Sequence, residues 1–506
     1  MTIEKIKETE QKFLDYVNKI SHYEEAVGLM TWDLRTGAPK KGIARRGEAA
    51  GTLSSEIFHM NTSESMKAFL SELKTPEAWE NIQEVTRRAV LECEENLKKF
   101  ENVPPEEFKA YVILTARSEA AWEEAKESGD FQTMLPYLEQ IIAYQRKYAG
   151  WKGFKDHPYN ALLDDYEPGL TVETVDAVFS RLKQAIVPLV EKIQKEGAAP
   201  ETNFLFHPFP AEKQEAFSRE VLKSMGYDFE AGRLDTTVHP FAVGLNTGDV
   251  RVTTKYDEKD FRTAVFGTIH EGGHALYEQN ISPQLDGTPL SGGASMGIHE
   301  SQSLFWENFV GRHINFWKKH YPVLKNYAAG QFDDIPLEKF YRAVNAAGPS
   351  LIRIEADELT YCLHIILRYE LEKALINGEM EAADLPEAWN DKMEELFGIR
   401  PSHDGEGVLQ DVHWPGGAFG YFPSYALGYV YAAQLKHAML QDLPEFDELL
   451  EEGRLASIKD WLTENVHKHG KAKKPLDIIQ KATGEKVNAD YLIQYLTNKY
   501  SAVYKL

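Results

Sequence analysis

His270-Glu271-Gly272-Gly273-His274 is the stretch of this chain whose residue types and spacing imply chemistry most directly. Histidines four apart on a helix lie about 40° from each other and about 6 Å along the axis, so two imidazoles can converge on one cation. The glutamate between them, about 100° from the first histidine, stands beside such an ion without ligating it, which is the position of a general base acting on a metal-activated water. Measured from His270, the residues Phe261, Ala264, Val265, Thr268, Gly272, Ala275 and Leu276 fall on the opposite half of the helix, so the histidines are expected to face a cleft or solvent. Two mid-helix glycines cost about 1 kcal/mol each relative to alanine, a penalty that a metal crosslink or a close substrate approach would offset. Solvated histidines on a plain surface helix would give no reason for them.

Catalytic zinc usually has three protein ligands and a water, so two histidines leave the set incomplete. The extended motif that continues with a glycine and a third histidine is excluded, because Tyr277 and Asn280 stand at those positions. The next candidate is Glu300 in Gly297-Ile298-His299-Glu300-Ser301-Gln302-Ser303, opening a second helix after the small-residue loop Ser291 to Ser295, with His299 as its rival. Two imidazoles and a carboxylate suit one Zn²⁺ per subunit, with Co²⁺ or Mn²⁺ as possible substitutes. Farther on, the segment His413 to Tyr425 offers hydrogen-bond donors in His413, Tyr421 and Tyr425, and its glycines are no phosphate cradle, because no Lys-Ser or Lys-Thr follows them.

The elements that must position these groups read as mostly helical. Apolar residues recur at helical spacing over 1 to about 28, 40–75, 76–100, 105–128, 131–150 and 171–197, with Thr171 as an N-cap, and again from Lys259 to the C-terminus except for the Gly-rich, aromatic interruption Pro415 to Tyr425. One β-hairpin is expected over Thr236 to Tyr256: Val250, Val252, Thr254 and Tyr256 alternate with polar residues, and Asn246-Thr247-Gly248 supplies the turn. The breaks are too short for interdomain linkers, so residues 1–506 read as one catalytic domain with its core at 259–435.

In 506 residues, 56 Lys and Arg face 79 Asp and Glu, a net charge of −23, which argues against nucleic acid or an anionic membrane as a partner. The charged N-terminal stretch lacks the apolar core of a secretory signal, and no apolar run approaches a membrane span. Cys93 and Cys362 cannot build a disulfide framework, so a soluble, cytoplasmic protein is expected.

Six motifs in order resemble the carboxypeptidase Taq family of zinc metallocarboxypeptidases: His239-Pro240-Phe241, Asp249-Val250-Arg251-Val252-Thr253, His270 to His274, His299-Glu300-Ser301-Gln302, Ile352-Arg353-Ile354-Glu355-Ala356-Asp357, and Gly407-Val408-Leu409-Gln410-Asp411-Val412-His413-Trp414. The resemblance covers essentially the whole chain. It implies a large, mostly α fold similar to angiotensin-converting enzyme and neurolysin, with a deep central groove, a homodimer, and release of single C-terminal residues with broad specificity. It also implies a helical lid within 1–75, chiefly the 40–75 region, for which ordinary packed helices are the alternative. The spacing of His413 and the two tyrosines is similar to that in angiotensin-converting enzyme, where such groups hold substrate and oxyanion, so His413 and Tyr425 are expected to act here, with Tyr421 as the substitute. A carboxypeptidase must also grip the terminal carboxylate of its peptide, for which Arg353 and Arg251 are the candidates. Arg353 could instead pair with Asp357 one turn later. His239, on the hairpin, is placed near the cleaved bond. The competing functions are a peptidyl-dipeptidase or oligopeptide endopeptidase on the same scaffold, and a catalytically silent helical scaffold, which the retained motif argues against.

Overall fold

Asp260 starts the central helix Phe261–Gln279, its carboxylate accepting from the backbone N–H of Arg262, an N-cap that fixes where the His270 and His274 turns begin. A computed structural model describes residues 2–506, and Met1 lies outside the described residues. Around this helix the chain is overwhelmingly helical, as expected, and one hydrophobic cluster extends from Ile6 to Tyr504. The long helices Ile3–Thr36, Glu84–Glu101, Pro105–Ser128, Phe131–Lys152 and Val172–Glu196 follow the apolar periodicity, and Thr171 caps the last through Thr174 N. The 40–75 region divides at Thr62-Ser63 into Ile43–Asn61 and Glu64–Leu73, where the Ser63 hydroxyl caps Met66 N. Helix Ile43–Asn61 buries none of its residues and is tied to the first helix by an Arg46–Asp33 ion pair.

The hairpin is present but belongs to a three-stranded sheet. Strands β1 (Leu234–Thr236), β2 (Ala242–Asn246) and β3 (Asp249–Thr254) lie in the order β1-β3-β2, with β2 antiparallel to β3 and β1 parallel to it. Residues 237–241, expected in the hairpin, form the crossover instead, and the pairing that displaces them, Leu234 with Val252, is parallel and carried by only three residues. Val250, Val252 and Thr254 share the strand face on the central helix, where the Thr254 hydroxyl donates to Ala264 O (3.3 Å) and receives Thr268 Oγ1 (3.1 Å), while Thr253 points the other way and its hydroxyl donates to Phe241 O.

Two further helices complete the frame. Met296–Leu304 carries Glu300 and runs into a π-helical stretch Phe305–Gly311, and Pro423–Asp442 carries Tyr425. A Cβ built on Gly273 would lie 2.6 Å from Gln302 O and 2.7 Å from Ser303 Cα, and one on Gly428 would lie 2.7 Å from Glu300 Cβ. The Glu300 helix is thus clamped between two glycine approaches. Gly272 in turn makes room for Leu222 of the neighbouring helix Ala211–Met225. This corrects the expectation that a metal crosslink or substrate accounts for the glycine pair: close packing of three helices accounts for it. Central-helix residues from Phe261 to Tyr277 are mostly buried on every side, so the histidines face a cleft between helices rather than open solvent.

Candidate active site

His270 and His274 each present Nε2 to Glu300 and Nδ1 to a second partner. The Nε2 to Oε2 separations are 3.9 Å for His270 and 3.4 Å for His274, and one ligand atom from each of the three residues lies within 4.8 Å of the others. Tetrahedral zinc with bonds of about 2.0–2.1 Å places its donors about 3.3 Å apart, so this arrangement fits a single ion after small rotations. Behind the histidines, His270 Nδ1 meets Glu307 Oε2 at 2.9 Å, and Glu307 Oε1 accepts from Arg312 at 2.8 Å. His274 Nδ1 meets His299 Nδ1 at 2.5 Å, and His299 Nε2 meets Glu278 at 2.8 Å. Read outward from Glu278, a donor at His299 Nε2 leaves its Nδ1 as acceptor for His274 Nδ1–H. Both rings therefore turn Nε2 toward Glu300, where each, once deprotonated, offers a lone pair to a cation.

The electrostatics agree with a cation at the convergence point. Burial lowers the His270 pKa, but Glu300, Glu307 and Glu271 more than reverse it, to about 10. His274 is pushed down to about 4, by burial and then by His299. Glu271, buried beside His270, is raised to about 7, by burial first and by Glu300 and Glu307 beyond that, against the lowering effect of His270. A carboxylate so tuned matches a general base working near neutrality.

His413 and Tyr425 meet with His413 Nε2 3.2 Å from the Tyr425 hydroxyl, the Tyr421 and Tyr425 ring centroids are 5.1 Å apart, and both tyrosines lie within electrostatic reach of Glu300. Burial, Arg353 and Arg368 push the His413 pKa down to about 4, so its imidazole is neutral, and its buried Nδ1 has no partner in the protein. The loop that carries these groups is pinned from below. Glu372 accepts from Trp414 Nε1 (2.7 Å), Gly420 N (2.9 Å) and the Tyr159 hydroxyl, while Gly417 O accepts from Gln145 Nε2 (2.8 Å) and the Tyr111 hydroxyl (3.2 Å). Gly417 and Gly420 have φ of 79° and 91°, a region that favours glycine, and side chains there would strike Tyr111 and the Leu162 backbone.

Arg353 lies against this loop, its guanidinium 5.1 Å from the Tyr425 ring centroid and 5.6 Å from that of Phe422. Its acid partner is Asp411 (2.8 and 3.0 Å), which is shared with the fully buried Arg368, whose Nε lies 2.7 Å away. Two guanidinium groups thus face one carboxylate, held well below the usual carboxylate range by Arg368 and Arg353 in spite of its burial. The remaining Nη1 edge of Arg353 reaches only the Tyr361 hydroxyl, at 3.4 Å.

The sequence profile described as carboxypeptidase Taq (M32) metallopeptidase matches residues 12–500. The chain belongs to this family. It is similar to carboxypeptidase 1 of Bacillus subtilis (strain 168), 56% identical over 98% of this chain and 99% of that one. It is 39% identical to thermostable carboxypeptidase 1 of Thermus thermophilus, over 98% of each chain. The crystal structure of the M32 carboxypeptidase from Deinococcus radiodurans R1 superposes with a TM-score of 0.95 at 34% identity, covering 98% of this chain and all of that one. The relatives span the same length, so the comparison bears on the whole fold of this metallopeptidase.

Among the residues singled out from the sequence, the structure brings His270, His274 and Glu300 together with Glu271 beside them, and assembles His413, Tyr421, Tyr425 and Arg353 as a second group whose tyrosines lie within electrostatic reach of Glu300. Three expectations are revised. His299, the rival for the third ligand, stands behind His274 with both ring nitrogens engaged. Arg353 does not pair with Asp357: residues 353–355 form a 3₁₀ turn, and Asp357 caps the next turn through Leu359 N, Thr360 N and the Thr360 hydroxyl. Arg251 is held by both oxygens of Asp249 (2.7 and 2.8 Å) and lies over the Trp32 ring, so structural pairing occupies its guanidinium. His239 is exposed on the β1–β2 crossover and has no hydrogen-bond partner there. Glu307 and Glu278 went unrecognised although spacing marks them: Glu307 lies two turns beyond Glu300, and Glu278 one turn beyond His274. Arg368 and Glu372 carried no sequence signal, because their partners are 42 to 48 residues away in the chain or farther.

Proposed function

We propose that this M32 metallocarboxypeptidase is a zinc enzyme that removes single residues from the free C-terminus of peptides, with His270, His274 and Glu300 as ligands and Glu271 as the base. The observation that carries the reading is the meeting of three ligand atoms with a buried carboxylate beside them, tuned to about 7, and a guanidinium cluster at the loop edge. A divalent ion in this donor set would supply Lewis acidity that lowers the pKa of a water toward about 7. Glu271 accepts the proton of the attacking water at a carboxylate oxygen and hands it to the leaving amine nitrogen as the C–N bond breaks. Tyr425, whose hydroxyl oxygen accepts from Nε2–H of the neutral His413, donates to the carbonyl oxygen, where negative charge develops, a contribution of about 2.7–4 kcal/mol for a well-placed donor. Arg353, which Asp411 and Arg368 orient, binds the terminal carboxylate. Arg251 and His239 are kept as substrate-binding groups on the sheet side, His239 near the cleaved bond, and Tyr421 is the alternative donor to Tyr425.

Metal analysis of Glu271→Gln tests the base: full metal content with turnover reduced nearly to zero is expected, and wild-type turnover would sink the assignment. Free-acid peptides should be cut one residue at a time and their C-terminal amides spared. Dipeptide products or internal cleavage would instead support a peptidyl-dipeptidase or endopeptidase. Cobalt or manganese should restore activity to the stripped protein. We further propose that residues 2–506 act as one catalytic domain, that Ile43–Asn61 and its neighbours form the lid, that the enzyme is a homodimer, and that it works in the cytoplasm. The two free, buried thiols Cys93 and Cys362 suit a reducing compartment, and no described helix is long and apolar enough to cross a membrane. Light scattering of the purified protein at twice the monomer mass would support the dimer.

A further inference from the structure

Away from the metal centre, the turn His467-Lys468-His469-Gly470-Lys471-Ala472-Lys473 closes one wall of a pocket of about 340 Å³. The other walls are Glu84, Val85 and Arg88 at the start of the Glu84–Glu101 helix, and Ser282, Gln284 and Leu285 after the central helix. Four cations gather here: Arg88, Lys468, Lys473 and, pressed against Lys473, Lys481. Only two acids answer them, and both are committed, Glu84 to Arg87 and Arg88 and Glu464 to Lys468. Among the described residues neither Lys473 nor Lys481 forms an ion pair, although Lys481 lies within electrostatic reach of Glu464. Instead the Lys473 ammonium donates to His469 Nε2 at 3.1 Å, an acceptor that is available because burial and the neighbouring lysines push His469 down to about 4 and keep it neutral.

Such a cluster is unfavourable in isolation. Burial and the charge of Lys481, Lys468 and Arg88 push Lys473 down to about 8, although the chain has 79 acids with which to relieve it. Like charges brought this close raise the free energy of the fold unless an anion enters among them. The excess of two positive charges matches a dianion better than a single carboxylate. The volume exceeds what a bare ion needs and sits at the low end of pockets that hold small organic molecules, about 300–1,000 Å³.

We infer that this pocket is a binding site for a phosphate group, in the form of a small phosphate monoester, held by Lys468, Lys473 and Arg88 with Ser282 at its edge and Lys481 adding its charge from behind Lys473. The site is independent of peptide hydrolysis. Its turn is nevertheless tied to the Glu300 helix, where His467 Nε2 meets Gln302 Oε1 at 2.9 Å.

The test is a thermal-shift and calorimetric titration of the metal-loaded protein with inorganic phosphate and with adenosine monophosphate, against sodium chloride and sodium acetate at equal ionic strength. The double variant Lys473→Gln/Lys481→Gln runs in parallel. It keeps the metal site, so phosphate bound to the metal contributes equally to both proteins and cancels. In the wild type the melting temperature should rise by a few degrees at about 100-fold excess over the dissociation constant, with the monoester effective at lower concentration than the free ion. The variant should lose that rise and, with no phosphate present, melt no lower than the wild type, because a repulsion has been removed. A shift equalled by acetate or chloride, or retained in the variant, would overturn the assignment. So would a variant that melts well below the wild type without phosphate.

Discussion

Replacing Gly273 with alanine should release metal, whereas the same replacement at Gly267, two turns earlier on the same helix, should not. A Cβ at Gly273 would stop 2.6 Å from Gln302 O and 2.7 Å from Ser303 Cα, at least about 0.7 Å inside ordinary contact, and both obstacles are backbone. The Glu300 helix cannot retreat by that amount, because it already rests against Gly428 of the Tyr425 helix, where even an added Cβ would lie only 2.7 Å from Glu300 Cβ. Any shift it does make carries Glu300 with it, and metal–ligand distances tolerate only about 0.2 Å. Overpacking of this kind costs about 1–3 kcal/mol, less about 1 kcal/mol regained in helix propensity. A Cβ at Gly267 meets nothing within 4 Å, so only the propensity gain remains. The assay pairs metal retention against a chelator of known affinity with denaturant unfolding of the stripped protein. Gly273→Ala should lose at least tenfold in metal affinity and be destabilised. Gly267→Ala should keep its metal and gain up to about 1 kcal/mol. If Gly273→Ala held metal like the wild type and gained stability as Gly267→Ala does, the idea that helix proximity sets the metal triangle would be wrong.

Glu307→Gln should weaken metal binding by about 10- to 100-fold while the histidines and Glu300 stay in place, because Nδ1 of His270 loses its charged acceptor; unchanged affinity in the chelator assay would refute this. Arg353→Gln should reduce kcat/KM for free-acid peptides by about 10–100-fold and leave the residual cleavage of amides unaltered, as measured on paired substrates. Glu167 is buried where it accepts Gly297 N and the Tyr431 hydroxyl, and burial raises its pKa from 4.5 to about 7. A carboxyl raised on folding contributes stability that is intact below about pH 4.5 and lost as pH climbs to about 7. The stability of the wild type relative to Glu167→Gln, from denaturant midpoints, should therefore fall by about 3 kcal/mol between pH 4.5 and pH 8, and a flat difference would contradict the burial argument.

What could be read from the residues alone tracks the distance over which each feature is built. The histidine pair and Glu271 are one turn apart, so helical geometry alone brings them together. Glu300 required the second motif, and Glu307 and Glu278 obey the same spacing rule but meet ring nitrogens behind the ligand atoms, a role that spacing alone does not distinguish from that of a solvated helix acid. The arginine cluster is a different case. Asp411 is 58 residues from Arg353, and the nearer acid, Asp357, was drawn into capping a turn. The glycine pair carried a correct warning with the wrong cause, because a single strand of text shows that two side chains are missing but not which helices fill the space. Strand β1 escaped for a related reason: three residues paired in parallel leave no alternation to read.

The helix Ile43–Asn61, nineteen residues with none buried, has a thermodynamic consequence for how peptides reach the metal. If it serves as the proposed lid, swinging it aside would wet Ile57 and Met60, which pack on the core, and part Phe58 from the Phe100 and Phe108 rings, so admission would carry a heat-capacity change of its own. Entry would then respond to temperature through those apolar contacts and to salt through the Arg46–Asp33 ion pair at its base.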